Sequence, residues 1–327
     1  MIGMNSRTLV SIGLLFAAAA MAQTAGRGPR TPDGRPDFQG IWDNGTLTPL
    51  ERGIVTGLDG KRIPLPPVTT LTIADSDARA YEQRLRTADD FKRGDGSGGD
   101  LSGEINAEFS EPPEGLARVN GAKRTSLIVE PADGRIPYIA SEEERKKSRP
   151  AERFDSVKDR PIRERCLHSS IAGPPILNPF ANFAGYQIVQ TQDHLMILTE
   201  DLREARIVRI GGQHMRQGVR QWLGDSIAHW EGDALVVDTT NFNAQTHFKG
   251  ASENLHVVER FQPIDGDTFL YRATVEDPSV YSKPWVIEYP FRRAPGPLYE
   301  DACHEGNYSL IDILKGARKA EADGVKQ

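Results

Sequence analysis

The chain has 327 residues, and its 40 Lys and Arg residues are outnumbered by 46 Asp and Glu residues, which gives a formal net charge of −6. A nucleic-acid partner or an anionic membrane surface would favour a basic patch, so we expect no nucleic-acid binding and no membrane insertion. The mean hydropathy of −0.48 argues against a protein with many membrane spans. Two cysteines are too few for a disulfide-stabilised mini-scaffold.

Residues 1–22 have the pattern of a bacterial signal peptide. Arg7 supplies the positive charge, and the apolar run from Leu9 to Ala19 is too short for a spanning helix. The small-x-small tripeptide that ends at Ala22 fits the cleavage rule. We therefore expect a cut after Ala22 and a periplasmic or secreted protein; an uncleaved membrane anchor is the alternative.

Residues 23–184 are rich in Pro and Gly, which predicts an extended N-terminal wrap that carries short helices. A helix is predicted to begin at Asp75 or Ser76, either of which can cap it, and to end near Lys92. The Gly-rich run at 94–103 then predicts a flexible loop.

Two more short elements are predicted within this wrap. The run SLIVE at 126–130 is typical of a short strand. Ser141 and Glu144 have the spacing of a capping box, which predicts a short charged helix over about 142–148. Residues 149–184 return to Pro-rich, irregular chain.

From residue 185 onward, apolar and polar residues alternate, as is typical of half-buried strands. The alternating runs cover 185–191, 194–200, 204–210, 225–231, 234–242, 254–262, 268–276 and 283–291. Most of them are joined by short turns, so we predict a mainly β protein with an antiparallel, up-and-down, lipocalin-like barrel of about eight strands over 185–293. An open sandwich is the alternative. The segment 294–327 follows, with a C-terminal helix at about 309–322.

The register of one hairpin predicts which side chains point inward. A three-residue turn at 264–266 pairs Phe261 with Phe269, Glu259 with Tyr271, Val257 with Ala273 and Leu255 with Val275. This row is apolar except for Glu259 and the hydroxyl of Tyr271. We therefore expect Glu259 to point into the barrel beside Tyr271.

The two cysteines predict one disulfide bond, Cys166–Cys303, because an exported protein folds in an oxidising compartment. The alternative is a metal site formed by these cysteines with His168 and His304. The C-x-H and C-H spacings are tighter than those of the usual zinc sites, so we expect no metal.

Four stretches resemble a widespread family of exported bacterial proteins: TPDGRPDFQGIWDNGTLTPLER, QWLGDSIAHWEGDALVVDTTNF, GASENLHVVERF and ACHEGNYSL. The resemblance covers most of the mature chain and implies export, but no particular reaction. The sequence Gly-Ile-Trp at 40–42 is also similar to the Gly-x-Trp motif of lipocalin-like barrels. That likeness implies a barrel that holds a ligand.

Glu259 is the first candidate catalytic residue. A carboxylate inside an apolar barrel loses its hydration, which raises its pKa and suits it to general acid–base catalysis. Tyr271 would be its hydrogen-bond partner. The alternative is a structural ion pair between Glu259 and a nearby arginine.

A second candidate site lies at the predicted disulfide. The bridge holds its two Cα atoms about 5.5 Å apart, and residues two apart in extended chain share a face. His168, His304 and Glu305 should therefore cluster, with a histidine as acid or base and Glu305 as the group that orients it. The alternative is that Glu305 and Asn307 are local caps that tie the C-terminal helix to the barrel.

Four further residues are candidates for ligand binding. Trp285 and Tyr289 belong to the apolar row of the last predicted strand, and Trp230 lies in an earlier one. Asn241 ends a strand among other polar residues that would rim the mouth of a barrel. Simple packing and turn formation are the alternatives.

These observations predict an enzyme that acts on a small, largely apolar or aromatic molecule by acid–base chemistry, as a lyase, isomerase or hydrolase. No dinucleotide-binding or phosphate-loop motif is present, so we expect no cofactor. The alternatives are a carrier of small hydrophobic ligands, a structural envelope protein, and a serine hydrolase in which Ser226, His304 and Asp301 resemble the GDSL esterase triad. The oligomeric state is left open.

Overall fold

The computed structural model describes residues 28–56, 62–65, 67–87, 113, 115–147, 153–168, 175–179, 185–246 and 248–324. The predicted signal peptide at 1–22 and the predicted loop at 94–103 lie outside the described residues. None of the described helices is long and apolar enough to cross a membrane.

The N-terminal half contains short strands and two helices. The strands are β1 (Gly40–Asp43), β2 (Ile54–Thr56), β3 (Arg62–Pro64), β4 (Thr72–Ile73), β5 (Arg118–Val119), β6 (Ala122–Arg124) and β7 (Ile128–Glu130). The helices are α1 (Asp75–Thr87) and α2 (Glu142–Lys147). Helix α2 begins with the predicted capping box, since the Glu144 amide donates to Ser141 Oγ at 3.2 Å and the Ser141 amide donates to Glu144 Oε2 at 2.8 Å.

The C-terminal half contains longer strands and one helix. The strands are β8 (Gly185–Gln190), β9 (His194–Thr199), β10 (Ala205–Ile210), β11 (Asp225–Glu231), β12 (Ala234–Thr240), β13 (His256–Pro263), β14 (Thr268–Glu276) and β15 (Trp285–Arg293). Helix α3 (Tyr308–Ala322) follows. These eight strands lie where the alternating pattern predicts them, because each buries one face of its side chains in the barrel.

The barrel is closed by nine strands, so the prediction of eight is wrong. The ninth is β1, which pairs with β8 on one side and with β15 on the other. Strand β7 also pairs with β15 and adds a tenth strand to the sheet. The segment that contains the Gly-Ile-Trp sequence, expected to wrap around the barrel, is therefore part of its wall.

The prediction of a purely antiparallel barrel is also wrong, because β10 and β11 run parallel. Residues 211–224 connect them, and this segment returns the chain to the end of the barrel at which β10 begins. The other pairings are antiparallel. In a closed ring with an odd number of strands the direction cannot alternate at every step, so one parallel pair is required.

The predicted register of the β13–β14 hairpin is wrong by two residues. Phe261 pairs with Tyr271, and Glu259 pairs with Ala273 rather than with Tyr271. The hairpin loop is longer than the predicted three-residue turn, since β13 ends at Pro263 and β14 begins at Thr268. A shift of two residues keeps each side chain on its face, so the predicted inward row is retained.

Aromatic side chains fill much of the barrel interior. The Phe269 ring lies 4.7 Å from the Phe291 ring in a stacked pair, and the Trp42 ring meets Phe269 edge-on at 4.7 Å. Trp42 Nε1 donates to the Phe38 carbonyl at 2.8 Å. The tryptophan of the Gly-Ile-Trp sequence therefore anchors the closing strand in the core.

The predicted disulfide bond is confirmed: Cys166 and Cys303 are bridged, with their Cα atoms 5.8 Å apart. The bond joins the segment before β8 to the segment before α3. Asn307 reinforces this connection, because its side chain caps α3 at the Leu310 amide and donates to the Glu164 carbonyl at 3.1 Å.

We predict that a Cys166→Ala/Cys303→Ala variant loses about 2–5 kcal/mol of unfolding free energy, because the bond closes a long loop and restricts the unfolded chain. Denaturant unfolding of the oxidised wild type and the variant measures the difference. The wild type under reducing conditions should unfold like the variant. Equal unfolding midpoints for all three samples would contradict this expectation.

Candidate functional site

The Glu259 side chain lies inside the barrel, fully buried, and contacts Tyr271 as expected. Tyr271 donates its hydroxyl hydrogen bond to Glu259 Oε1 at 2.7 Å. Arg206, which is also buried, approaches from β10 and donates from Nη1 to Oε2 at 2.7 Å and from Nη2 to Oε1 at 2.9 Å. Both carboxylate oxygens are therefore occupied.

This geometry matches a structural ion pair. Burial alone would lower the pKa of the Arg206 guanidinium, but the Glu259 carboxylate outweighs this effect and raises it. Burial, reinforced by the Glu259 charge, raises the pKa of Tyr271 well above its usual value. A bidentate guanidinium that keeps its charge holds the carboxylate in place. Sequence reasoning missed Arg206, although its alternation with Val208, which also faces inward, was a usable signal.

The segment 175–179 lies against the same tyrosines. The Leu177 amide donates to the Tyr271 hydroxyl at 3.1 Å. The Leu177 carbonyl accepts hydrogen bonds from the Tyr289 hydroxyl and from Asn44 Nδ2. The strands β10 and β11 begin at the same end of the barrel. We call this end the Leu177 end. Tyr289, a predicted ligand-binding residue, thus makes its polar contact with this segment.

The other predicted ligand-binding residues contact separate parts of the molecule. Trp285 is fully buried and stacks on Phe248 at 6.3 Å, whereas Trp230 stacks on Phe38 at 6.2 Å. Asn241 is partly exposed at the end of β12. Trp285 belongs to the hydrophobic core of the barrel and Trp230 packs against it, whereas Asn241 is not among these core residues.

His168 lies in the most unusual environment of the predicted site residues. It is fully buried, its Nδ1 lies 2.7 Å from Glu204 Oε1, and its ring stacks on Trp222 at 6.4 Å. Its Nε2 is also buried and has no hydrogen-bond partner among the described residues. Because a carboxylate only accepts hydrogen bonds, His168 Nδ1 is the donor in its contact with Glu204.

The carboxylate in contact with His168 is that of Glu204, not that of Glu305. His304 and Glu305 are both exposed in the turn before α3, and neither makes a hydrogen bond or ion pair with His168 within the described ranges. Glu204 directly precedes β10, and Trp222 lies just before β11, so the parallel pair brings them to the same end of the barrel. No local sequence pattern links Glu204 or Trp222 to His168, so the sequence analysis did not connect either residue with it.

A second polar network lies on the outside of the barrel. His214 has Nδ1 3.1 Å from Asp225 Oδ2 and Nε2 3.0 Å from Asp238 Oδ1. His256 Nε2 lies 3.0 Å from the same Asp238 oxygen, and its Nδ1 lies 2.5 Å from Glu276 Oε1. The network joins residues 211–224 to four neighbouring strands.

The pKa of His256 is raised to about 9, first by its hydrogen bond to Asp238 and then by Glu276, against the opposing effect of burial. Burial would raise the pKa of Asp238, but the two histidines outweigh it and hold this pKa below its usual value. At neutral pH the network therefore contains a charged imidazolium between two carboxylates. Each ring nitrogen of both histidines faces a carboxylate, so the arrangement serves to join strands.

The contacts of Ser226 bear on the serine-hydrolase alternative. Ser226 is buried, and its hydroxyl lies 2.9 Å from the Thr239 hydroxyl. Asp301 accepts a hydrogen bond from the Leu202 amide at 2.8 Å. In the part of the chain that is described, Ser226 makes no hydrogen bond to a histidine.

No protein-family model matches this chain, and none of the curated proteins matches it. The geometry of the residues is therefore what supports a function.

We predict that Glu259→Gln lowers the unfolding free energy by about 3–5 kcal/mol, because it leaves the buried Arg206 charge without its counter-ion. Denaturant unfolding measures the loss. Glu231→Gln is the matched control, since Glu231 pairs with Arg260 on the exposed surface and its loss should leave the unfolding free energy nearly unchanged. A similar small cost for Glu259→Gln would contradict the structural ion pair.

We also predict that the stabilisation by His256 depends on pH. Its pKa is about 9 in the folded state against 6.5 for an unperturbed histidine, so its contribution is complete below about pH 6.5 and disappears as the pH rises through 9. His256→Gln should cost about 1–2 kcal/mol at pH 6 and little at pH 9.5. Unfolding at both pH values tests this, with the exposed His229→Gln as control; a pH-independent difference would contradict it.

Proposed function

We propose that this protein is a periplasmic β-barrel enzyme that acts on a small, largely apolar or aromatic molecule by general acid–base chemistry. In this proposal His168 transfers the proton and Glu204 orients it. The observation that carries the proposal is the buried Nε2 of His168, which has no partner among the described residues.

An unpaired polar atom in the interior is costly. Leaving a buried hydrogen-bonding group unsatisfied costs about 1–3 kcal/mol, and such atoms in native proteins call for an explanation. A ligand or substrate atom that bonds to Nε2 supplies one. The carboxylate at Nδ1 supports the same interpretation, because this arrangement stabilises the imidazolium that forms when Nε2 accepts a proton.

Trp222 supports an apolar or aromatic substrate. Its ring stacks on the His168 ring and is only partly buried, so it offers an apolar face beside the acid–base group. In a hydrolase, Nε2 would take a proton from water; in a lyase or isomerase it would take one from carbon. The charge of Glu204 compensates the positive imidazolium in either case, and the step needs no organic cofactor.

Two observations support export to the periplasm. The N-terminal sequence has the composition of a signal peptide. The bond between Cys166 and Cys303 is of a kind that persists in oxidising compartments.

A non-catalytic carrier is the second candidate, favoured by the same unpartnered Nε2 of His168. In a carrier, His168 Nε2 would accept a hydrogen bond from the ligand without moving a proton. Trp285 and Tyr289, both buried among aromatic rings, suit an apolar ligand as well as an apolar substrate.

We predict that His168→Gln lowers turnover by about two to four orders of magnitude, because glutamine cannot transfer the proton. The assay incubates the purified protein with aromatic and alicyclic esters, lactones and hydroxy acids and follows products by mass spectrometry. His229→Gln, on the exposed face of β11, is the control and should keep full activity. A Glu204→Gln variant should lose activity while still binding the substrate.

The carrier and the enzyme give different results in this assay. Binding of a compound without conversion by the wild type would favour the carrier. Full turnover by a folded His168→Gln variant would overturn the role of His168.

A further inference from the structure

One short segment, residues 301–303, is attached to the chain on both sides of the proposed His168–Glu204 pair. Its last residue, Cys303, forms the disulfide bond with Cys166. Cys166 stands two residues before His168 in the sequence. A covalent bond therefore fixes the stretch of chain that leads into the histidine.

The first residue of segment 301–303 holds the stretch of chain that leads into Glu204. Asp301 Oδ2 accepts a hydrogen bond from the Leu202 amide at 2.8 Å, and Leu202 stands two residues before Glu204. Just ahead of the segment, the Tyr299 amide donates to Glu200 Oε1 at 3.0 Å. The carboxylate of the pair is thus held at the same separation along the chain as the imidazole.

Both attachment points have an unfavourable backbone conformation. Cys166 has a φ of +51° and Leu202 a φ of +55°, in the left-handed region that residues with a side chain rarely adopt. Such conformations persist where the surrounding contacts over-determine them, and they cluster at functional sites. The disulfide bond at Cys166 and the hydrogen bond at Leu202 are contacts of this kind.

A further contact joins the two held stretches directly. Arg163 Nη1 donates to both carboxylate oxygens of Asp201, each at 2.8 Å, and Asp201 is fully buried. One stretch leads into His168 and the other into Glu204, where Nδ1 and Oε1 lie 2.7 Å apart. Because the stretches are tied together before they reach the pair, a displacement of either one changes the contact between imidazole and carboxylate.

We propose that Asp301 is a positioning residue of the His168–Glu204 pair, and that segment 301–303 fixes the contact between the two side chains from both sides. Asp301 acts through the Leu202 amide, and Cys303 acts through Cys166. The inference rests on the proposed function for the role of the pair in proton transfer. The contact itself is measured without any substrate.

Nuclear magnetic resonance of isotope-labelled protein measures this contact through the proton that His168 Nδ1 donates to Glu204. The resonance is assigned by its absence from the His168→Gln variant. We expect Asp301→Ala to speed the exchange of this proton with water about tenfold, because one hydrogen bond to a charged group no longer holds the pair closed. Asp301→Asn keeps a side-chain oxygen for the Leu202 amide and should exchange near the wild-type rate.

Dithiothreitol, a dithiol, tests the attachment at Cys303. It reduces the bond between Cys166 and Cys303 to two thiols and is itself oxidised to a cyclic disulfide. The reduced protein should show an increase in exchange at His168 at least as large as that of Asp301→Ala.

Two controls separate positioning from a general loss of stability. Asp265→Ala removes a carboxylate that accepts from the Asp267 amide in the loop between β13 and β14, and it should leave exchange at His168 unchanged. In every sample, the ring proton between His256 Nδ1 and Glu276 should keep its wild-type exchange rate.

Four results would each overturn the proposal. They are a wild type without the His168 resonance, an unchanged exchange rate in Asp301→Ala or in the reduced protein, an equal increase at His168 and His256, and an Asp301→Asn variant that behaves like Asp301→Ala. Full turnover by a folded His168→Gln variant would overturn the proposed function alone, since none of these measurements depends on turnover.

Discussion

The buried ion pair between Arg206 and Glu259 is the constraint on which the interior of the barrel depends. Two charges removed from water are tolerated only when each is paired and hydrogen-bonded, and here the guanidinium meets the carboxylate through two bonds. Tyr271 extends the contact from Glu259 to the Leu177 amide. These hydrogen bonds thus connect β10, β13 and β14 to the segment 175–179 at the Leu177 end. Aromatic rings pack around this polar network.

The same end of the barrel holds the proposed catalytic group. Glu204 directly precedes the strand that carries Arg206, so the ion pair that holds β10 also positions the carboxylate beside His168. Trp222 reaches this position because residues 211–224 return the chain to the end at which β10 begins. The parallel pair of strands therefore gathers side chains from segments distant in sequence, including those of the proposed catalytic group.

The eight long strands could be predicted from the sequence because most of them bury alternate side chains, and the alternation survives an error in register. The disulfide could be predicted because the chain has only two cysteines and its N-terminal sequence predicts export. The ninth strand could not be predicted, since four residues in a Pro- and Gly-rich stretch show no usable periodicity. The partners of Glu259 and His168 depend on how distant strands meet in the barrel, and no local spacing records that arrangement.

Closure of the barrel by β1 has a consequence for the order of folding. Trp42 pairs opposite Arg293, roughly 250 residues later, so the ring joins the first and the last of the described strands. Because the N-terminus is synthesised first, one edge of β1 stays unpaired until β15 has been made. Bringing together residues so distant in sequence costs chain entropy before their contacts stabilise the fold, and this slows folding. The barrel can therefore close only after β15 has been synthesised. Partly synthesised or truncated chains would expose an open sheet edge, which promotes aggregation.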